Sequence, residues 1–366
     1  MTIKSNWADT RQRFAAWWAG QSTGRPMLRL WAKRDTPFKN PYPFEPYTTP
    51  EELYFNTDKI IAQQFEMLCE YEPVAEAYPG LSLNLGAGSL ALYMGSRPRC
   101  EWDTMWFEHI DLTYNDRGTV VFDPENHWYK THLSMYRQAK DMIKGTDILL
   151  CIPDLVESLD ILAALRGTTE LCYDLYDYPD EVKAACAALN RHYETCFDAF
   201  NAICADENGE SAFTIFNIWG KGRTAKVQCD VAAVLSPELF REFALPPLRE
   251  QCRWLDNSLF HLDGPECICH VPILAEIEEL NAIQWTPGHN NPPGGEECWY
   301  DLYRQIKEAG KGLWVGLYEY SPEVAVEKAD KLVRKLGGDG FYFQMPQMEK
   351  KDAEALLIKA EREWKA

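Results

Sequence analysis

His261 and Asp263 stand two residues apart in the run Leu259-Phe260-His261-Leu262-Asp263-Gly264. In an extended segment, residues i and i+2 project to the same face. An imidazole and a carboxylate that share a face can hold a divalent metal or hand a proton between them. The run begins apolar and ends polar beside a glycine. A helical pattern over 271–277 follows, and then a second apolar run, Ile283-Gln284-Trp285, that ends in Thr286-Pro287-Gly288-His289. Strand, helix and strand within about thirty residues is the span of one βαβ unit. His261 and Asp263 then fall at the carboxyl end of a parallel strand, where α/β folds bind their ligands. The competing account is structural: a histidine hydrogen-bonded inside the sheet, and an aspartate capping the turn before Gly264.

Other strand ends carry residues of the same kinds. Glu319 lies between Tyr318 and Tyr320 after the apolar run 312–318. A glutamate there can act as base or ligand, and a tyrosine can hold a substrate oxygen. Asn217 and Trp219 share a face of a strand expected over 212–219, and Arg223 follows them as a partner for an anion. Trp285, His289 and Gln344 end further strands. The expected catalytic set is His261, Asp263, Glu319 and Tyr320. Asn217, Trp219, Arg223, Trp285, His289, Tyr318 and Gln344 are the expected substrate contacts, and His261 and Asp263 the expected metal ligands. For each there is a plain alternative, a solvated loop acid or a packing aromatic. Cys267-x-Cys269-His270 lacks a second ligand pair in register and reads as packing. Gly86-Ala87-Gly88-Ser89-Leu90-Ala91 has the spacing of a dinucleotide fingerprint, but no ribose-binding acid follows at the right offset, so it reads as a tight turn. No P-loop, nucleophile elbow or His-Glu-x-x-His motif is present.

The elements that must position these residues alternate. Thr49-Pro50-Glu51-Glu52 opens a helix over 51–71. Strands are expected near 25–31, 73–78, 147–154, 212–219, 259–263, 283–285, 312–318 and 341–345. Helices are expected over 128–144, 160–166, 179–203, 299–309 and 322–336, and at the C-terminus. Residues 100–127 are rich in Trp, Asp and His and read as a hairpin or excursion, with turns at Asn115-Asp116-Arg117-Gly118 and Asp123-Pro124-Glu125-Asn126. Repeated βα units without a domain-sized linker point to α/β architecture: a single (β/α)8 TIM barrel spanning 1–366. Residues 1–70 form an N-terminal helical extension, and the aromatic-rich segments are insertions. An open doubly wound sheet is the alternative.

The 366 residues, 46% of them hydrophobic, suffice for a large core. The formal net charge of −19 opposes a nucleic-acid phosphate or an anionic membrane surface as partner. An anionic substrate needs a local basic pocket against that field. No stretch is long and apolar enough to span a bilayer, and the first residues lack a secretory h-region. The twelve cysteines are scattered without a secreted framework, which fits reduced thiols in the cytoplasm.

Several segments carry a resemblance. They are Asp160-Ile161-Leu162-Ala163-Ala164-Leu165-Arg166-Gly167 with Asp177-Tyr178-Pro179-Asp180-Glu181-Val182, and Val227-Gln228-Cys229-Asp230 with Leu235-Ser236-Pro237-Glu238-Leu239-Phe240 and Pro246. His261-Leu262-Asp263-Gly264 completes the set. Over roughly the C-terminal two-thirds the chain resembles the uroporphyrinogen decarboxylase superfamily, which includes corrinoid-dependent methyltransferases. The resemblance implies a (β/α)8 barrel, methyl transfer involving a corrinoid protein as partner, and zinc (Zn) at the His261 strand. The departures are specific. Arg25-Pro26 is not followed by the arginine-rich motif of porphyrin decarboxylases, Val231 replaces their serine, and Met345-Pro346-Gln347 replaces their Gly-His-Gly. The thiol methyltransferases bind zinc through His-x-Cys and a last-strand Cys, where this chain has His261-x-Asp263 and Gln344. Methyl transfer is therefore set beside a decarboxylase or lyase acting on a small polar substrate, and beside a barrel that binds a ligand without catalysis.

Overall fold

Leu259, His261 and Asp263 project to one face of their strand, while Phe260 and Leu262 enter a separate layer of core on the other. The computed structural model describes residues 2–112, 120–205 and 209–365. In chain order its strands are β1 (Met27–Lys33), β2 (Tyr71–Ala75), β3 (Gly80–Leu81), a hairpin of β4 (Pro98–Cys100) and β5 (Met105–Phe107), and β6 (Leu149–Leu150). A second hairpin, β7 (Glu210–Phe213) and β8 (Ile218–Lys221), precedes β9 (Thr224–Gln228), β10 (Asn257–Asp263), β11 (Ala282–Thr286), β12 (Gly312–Gly316), β13 (Phe341–Gln344) and β14 (Met348–Glu349).

The architecture is mixed α/β with a large parallel sheet. Six of its strands, β9, β10, β11, β12, β13 and β1, are neighbours in that order and all run parallel. β14 and the antiparallel β2 flank β1. β3 pairs with β6 in parallel as a separate ladder. Helices cover the outer face, as parallel strands require on chain-connection grounds. Their starts follow the expected chemistry. Ser321 caps the Pro322–Leu336 helix with Pro at its first position, and the Asn126 side chain accepts from Tyr129 N at 3.0 Å to start His127–Met142.

Three expectations change. Residues 1–70 are not an appended helical extension: they contain β1, which lies between β13, β14 and β2 in the main sheet. The helix Trp7–Trp18 in the same segment seals the amino-terminal end of the sheet, with Trp17 Nε1 on Gly340 O at 2.8 Å and Asn281 Nδ2 on Trp18 O at 3.2 Å. The strand expected over 147–154 pairs only at Leu149–Leu150. The glycine-rich segment is a turn, as its spacing predicts: the backbone N–H groups of Gly88 and Ser89 both donate to Asp154 O, and Gly86 and Gly88 have φ of 73° and 109°. The turn expected at Asn115–Gly118 lies outside the described residues.

The third change matters most for the site. The single strand expected over 212–219 is two strands folded back on each other. The chain reverses over 214–217 between β7 and β8. Asn217 makes the reversal with φ +50°, a conformation asparagine tolerates better than most residues. The tip of this hairpin is driven into the interior beside the inward faces of β10, β12 and β13. Its buried carbonyls are taken up by side chains from distant elements. The single O–H of Tyr78 lies between Phe213 O (3.0 Å) and Ile218 O (2.8 Å) and donates to this pair. Trp314 donates to Phe216 O (2.9 Å), Tyr342 to Asn217 O (2.8 Å) and Arg29 to Ile215 O (2.8 Å).

Removing one of these donors strands buried acceptors. Tyr78→Phe removes this donor from a fully buried place and lowers unfolding stability by about 1–3 kcal/mol. Urea denaturation checks this; a variant as stable as wild type shows that the hairpin tip does not depend on the hydroxyl.

Candidate functional site

β10 ends in His261 and Asp263, and β9 ends in Gln228, followed two residues later by Asp230. Parallel register places Gln228 and Gln284 on either side of His261. Side chains of Asp230, His261 and Asp263 converge so that one ligand atom of each lies within 4.8 Å of the others. His261 Nε2 and Asp263 Oδ2 are 3.8 Å apart.

The imidazole is held in one tautomer by its neighbour. Gln284 Nε2 donates to Thr286 Oγ1 at 2.8 Å, which turns the amide oxygen toward His261. That oxygen accepts from His261 Nδ1. Nδ1 therefore carries the proton and Nε2 presents its lone pair to the two acids, the arrangement that orients a metal-ligating histidine from behind. Phe216, at the hairpin tip, stacks against the same ring at a centroid distance of 5.2 Å. Burial, and then the charge of Lys226, lowers the His261 pKa and keeps the ring neutral.

Asp230 is placed by a second acid. Asp160 accepts the backbone N–H of Asp230 (2.8 Å) and of Val231 (2.9 Å), clamping the loop after β9. Asp160 is itself set by the start of the helix Ser158–Arg166, where Glu157 accepts from Leu159 N and Asp160 N, both at 2.8 Å. Val156, just before, sits at φ +63°, a costly conformation for a β-branched residue. Gln228 bridges the two acids, donating to Asp160 at 3.0 Å and Asp230 at 2.8 Å. Lys226, further back on the same face, is buried in an ion pair with Asp154 at 2.8 Å and also contacts Gln228. Burial, followed by the neighbouring carboxylate of Asp160, pushes the Asp230 carboxyl up to about 7.

Two cavities adjoin the cluster. One, of ≈ 430 Å³, is lined by Trp106, Phe107, His109, Asp160, Gln228 and Asp230 among others. The other, of ≈ 460 Å³, includes Arg29, Phe216, Gln284, Trp314, Tyr318 and Gln344. Gln284 and Phe216 join the second cavity to His261, which both of them touch.

The structure gathers part of the expected residue set. His261 and Asp263 lie together, and His289, Glu319, Tyr318 and Gln344 line the second cavity. Trp285 borders it, but its indole belongs to the outer layer, packed on Trp299 at 5.0 Å. In β11 the inward residues are Gln284 and Thr286, so Trp285 points away. Trp219 is at the opposite end of the sheet, because the chain has turned back: it packs on Phe14 of the sealing helix. Asn217 is buried in the reversal below the cavity, its carbonyl engaged by Tyr342. Arg223 precedes β9 at the amino-terminal side, paired with Asp198 at 3.2 Å and stacked on Trp254. It cannot hold an anion at the mouth. Tyr320 turns outward and donates to Glu296 at 2.9 Å, alongside the Lys328–Glu296 pair. Cys267 is buried and its thiol is pushed up to about 12 by burial and the nearby acids, so it is no thiolate ligand. His270 stacks on Phe240 and bonds Ala232 O, as packing.

Asp230, Asp160 and Arg29 were not among the expected site residues. Asp230 obeys the same i, i+2 rule as His261 and Asp263, counted from Gln228. Comparison with protein-family models and with curated proteins finds no match for this chain.

A metal at this cluster displaces the Asp230 proton. Its affinity therefore rises about tenfold per pH unit below about 7 and levels off above it. Asp230→Asn removes that inflection. Competitive chelator titrations from pH 5.5 to 8.5 check this, and a pH-independent wild-type affinity contradicts it.

Proposed function

We propose that this chain is an enzyme of the uroporphyrinogen decarboxylase-like superfamily, transferring a methyl group in concert with a corrinoid protein at the carboxyl-terminal mouth of a (β/α)8 barrel. What supports the barrel is the six-strand parallel array together with hydrogen bonds that link β3, the segment after β6, and β7: Cys151 N to Leu81 O and Ile152 N to Ala212 O. The observation that carries the functional reading is the convergence of Asp230, His261 and Asp263 beside two cavities.

These residues fit a divalent ion such as zinc. One imidazole nitrogen of fixed tautomer and two carboxylates make a three-ligand set that leaves a position open for substrate or water. The set has no sulfur, so it favours activation of an oxygen rather than of a thiolate. When bound, the ion supplies Lewis-acid polarisation of an oxygen in the open position. The chain's own residues do the rest. Gln284 keeps the proton on His261 Nδ1. Asp160 and Gln228 hold Asp230 in place. Asp263, on the more open side of the cluster, supplies the second carboxylate.

A second reading, a decarboxylase or lyase acting on a small carboxylate, is favoured by one observation. Arg29 lies in the second cavity without a carboxylate partner among the described residues.

Elemental analysis of the purified protein is expected to find about one equivalent of divalent metal. His261→Ala, Asp263→Ala and Asp230→Ala should each lose it. Gln284→Leu, which removes the support behind the histidine, should weaken metal affinity about 10–100-fold. Methylcobalamin absorbance then tests the reaction. Wild type without stoichiometric metal that never consumes methylcobalamin sinks the proposal and leaves a ligand-binding barrel.

A further inference from the structure

Arg29 projects from β1 toward the second cavity, on a rung it shares with Gln344 of β13. Burial weighs against its charge, and the groups that favour the charge are three tyrosines, 342, 78 and 318, with no carboxylate among them. Arginine stays protonated in proteins, so the cation is retained without a counterion. Nη1 is tied to Ile215 O at 2.8 Å. Nε is buried and has no hydrogen-bond partner. An unpartnered buried donor on a charged group is costly, and native structures rarely keep one without a use. The chain carries a formal charge of −19, yet no carboxylate among the described residues pairs with this arginine.

The surroundings are suited to a guest. Gly316 borders the cavity, and a Cβ there would come within 2.7 Å of the Tyr318 ring. The absence of a side chain lets Tyr318 lie flat at the wall. The Gln344 amide and the Tyr318 hydroxyl make no hydrogen bond among the described residues and can donate to a bound oxygen. Glu319 stands at the rim, exposed, and does not contribute to the charge on Arg29.

We infer that this cavity binds a carboxylate of the substrate through the Nε–Nη2 edge of Arg29. The inference rests on the proposed reaction site at the mouth and names the class of molecule it takes. With Nη1 occupied, the remaining edge offers two parallel N–H groups, the spacing that matches the two oxygens of a carboxylate. A phosphate dianion would need more positive charge than one arginine beside neutral donors supplies. Phe216 and Gln284 then link the anchored end to His261, so the rest of a small carboxylic acid extends toward the Asp230–His261–Asp263 cluster.

Ligand-detected NMR titration of the full chain with propionate, propionamide and inorganic phosphate tests this. Propionate should bind saturably. Propionamide, and propionate with Arg29→Gln, should bind at least about tenfold more weakly, as loss of a charged hydrogen bond implies. Arg29→Lys keeps the charge but not the planar edge and should fall between; it carries the test if Arg29→Gln does not fold. Equal binding of propionate by wild type and the Arg29 variants overturns the inference. So do equal binding of propionamide, tighter binding of phosphate, or no propionate signal in wild type. Metal content separates the two proposals. Arg29-dependent propionate binding in a protein that never holds metal defeats the metal-based function and leaves the carboxylate site standing. Stoichiometric metal with Arg29-independent binding does the reverse.

Discussion

A chain reversal placed inside a sheet must find partners for its carbonyls, and that requirement governs the interior of this protein. The tip between β7 and β8 carries its backbone into a space where parallel strands would otherwise pack side chains alone. An unpaired buried carbonyl costs free energy comparable to a lost hydrogen bond. Donations from Tyr78, Trp314, Tyr342 and Arg29 meet the demand. Each donor comes from a different part of the chain. The tip therefore ties β1, β12, β13 and the segment before β3 to one point, and it becomes the floor on which the second cavity stands.

Above that floor the polar groups form a graded series. Lys226 and Asp154 neutralise each other deep in the interior. Gln228 and Asp160 pass that order outward to Asp230, and Gln284 and Thr286 do the same for His261. Buried polar networks of this kind hold geometry only when every member is satisfied. Here the unsatisfied valences are concentrated at the outer end: the lone pair of His261 Nε2, the oxygens of Asp263, and the Nε of Arg29. The shift of Asp230 toward neutrality has a related origin, burial of its carboxyl followed by the nearby carboxylate of Asp160.

Much of the alternation was legible. Apolar runs of strand length separated by capped helices gave β10 to β13 and the Pro322–Leu336 helix almost to the residue. The His261-x-Asp263 pair was legible because period two needs only one strand. The same rule applied to Gln228-x-Asp230 would have found the third member of the cluster, and strand parity set by Gln284 would have turned Trp285 outward. The reversal at 214–217 was not legible. Ala-Phe-Thr-Ile-Phe-Asn-Ile-Trp contains no Gly or Pro, and its β-branched and aromatic residues satisfy a strand equally well. That error carried Trp219 and Asn217 to the wrong end of the sheet, and it put Arg223 at the mouth. Arg29 was hidden for another reason. Its importance comes from what lies around it, and its neighbours are contributed by β12, β13 and the hairpin tip, far away in sequence.

Because Ile215 is tied at the hairpin tip through its backbone carbonyl, the identity of its exposed side chain is released from structural duty. Ile215 is 46% exposed and faces the second cavity, while its own backbone oxygen holds Arg29 in place. The floor of the pocket is thus an interchangeable part. Drift at position 215 can reshape what the cavity admits while the scaffold beneath it, and the arginine beside it, stay where they are.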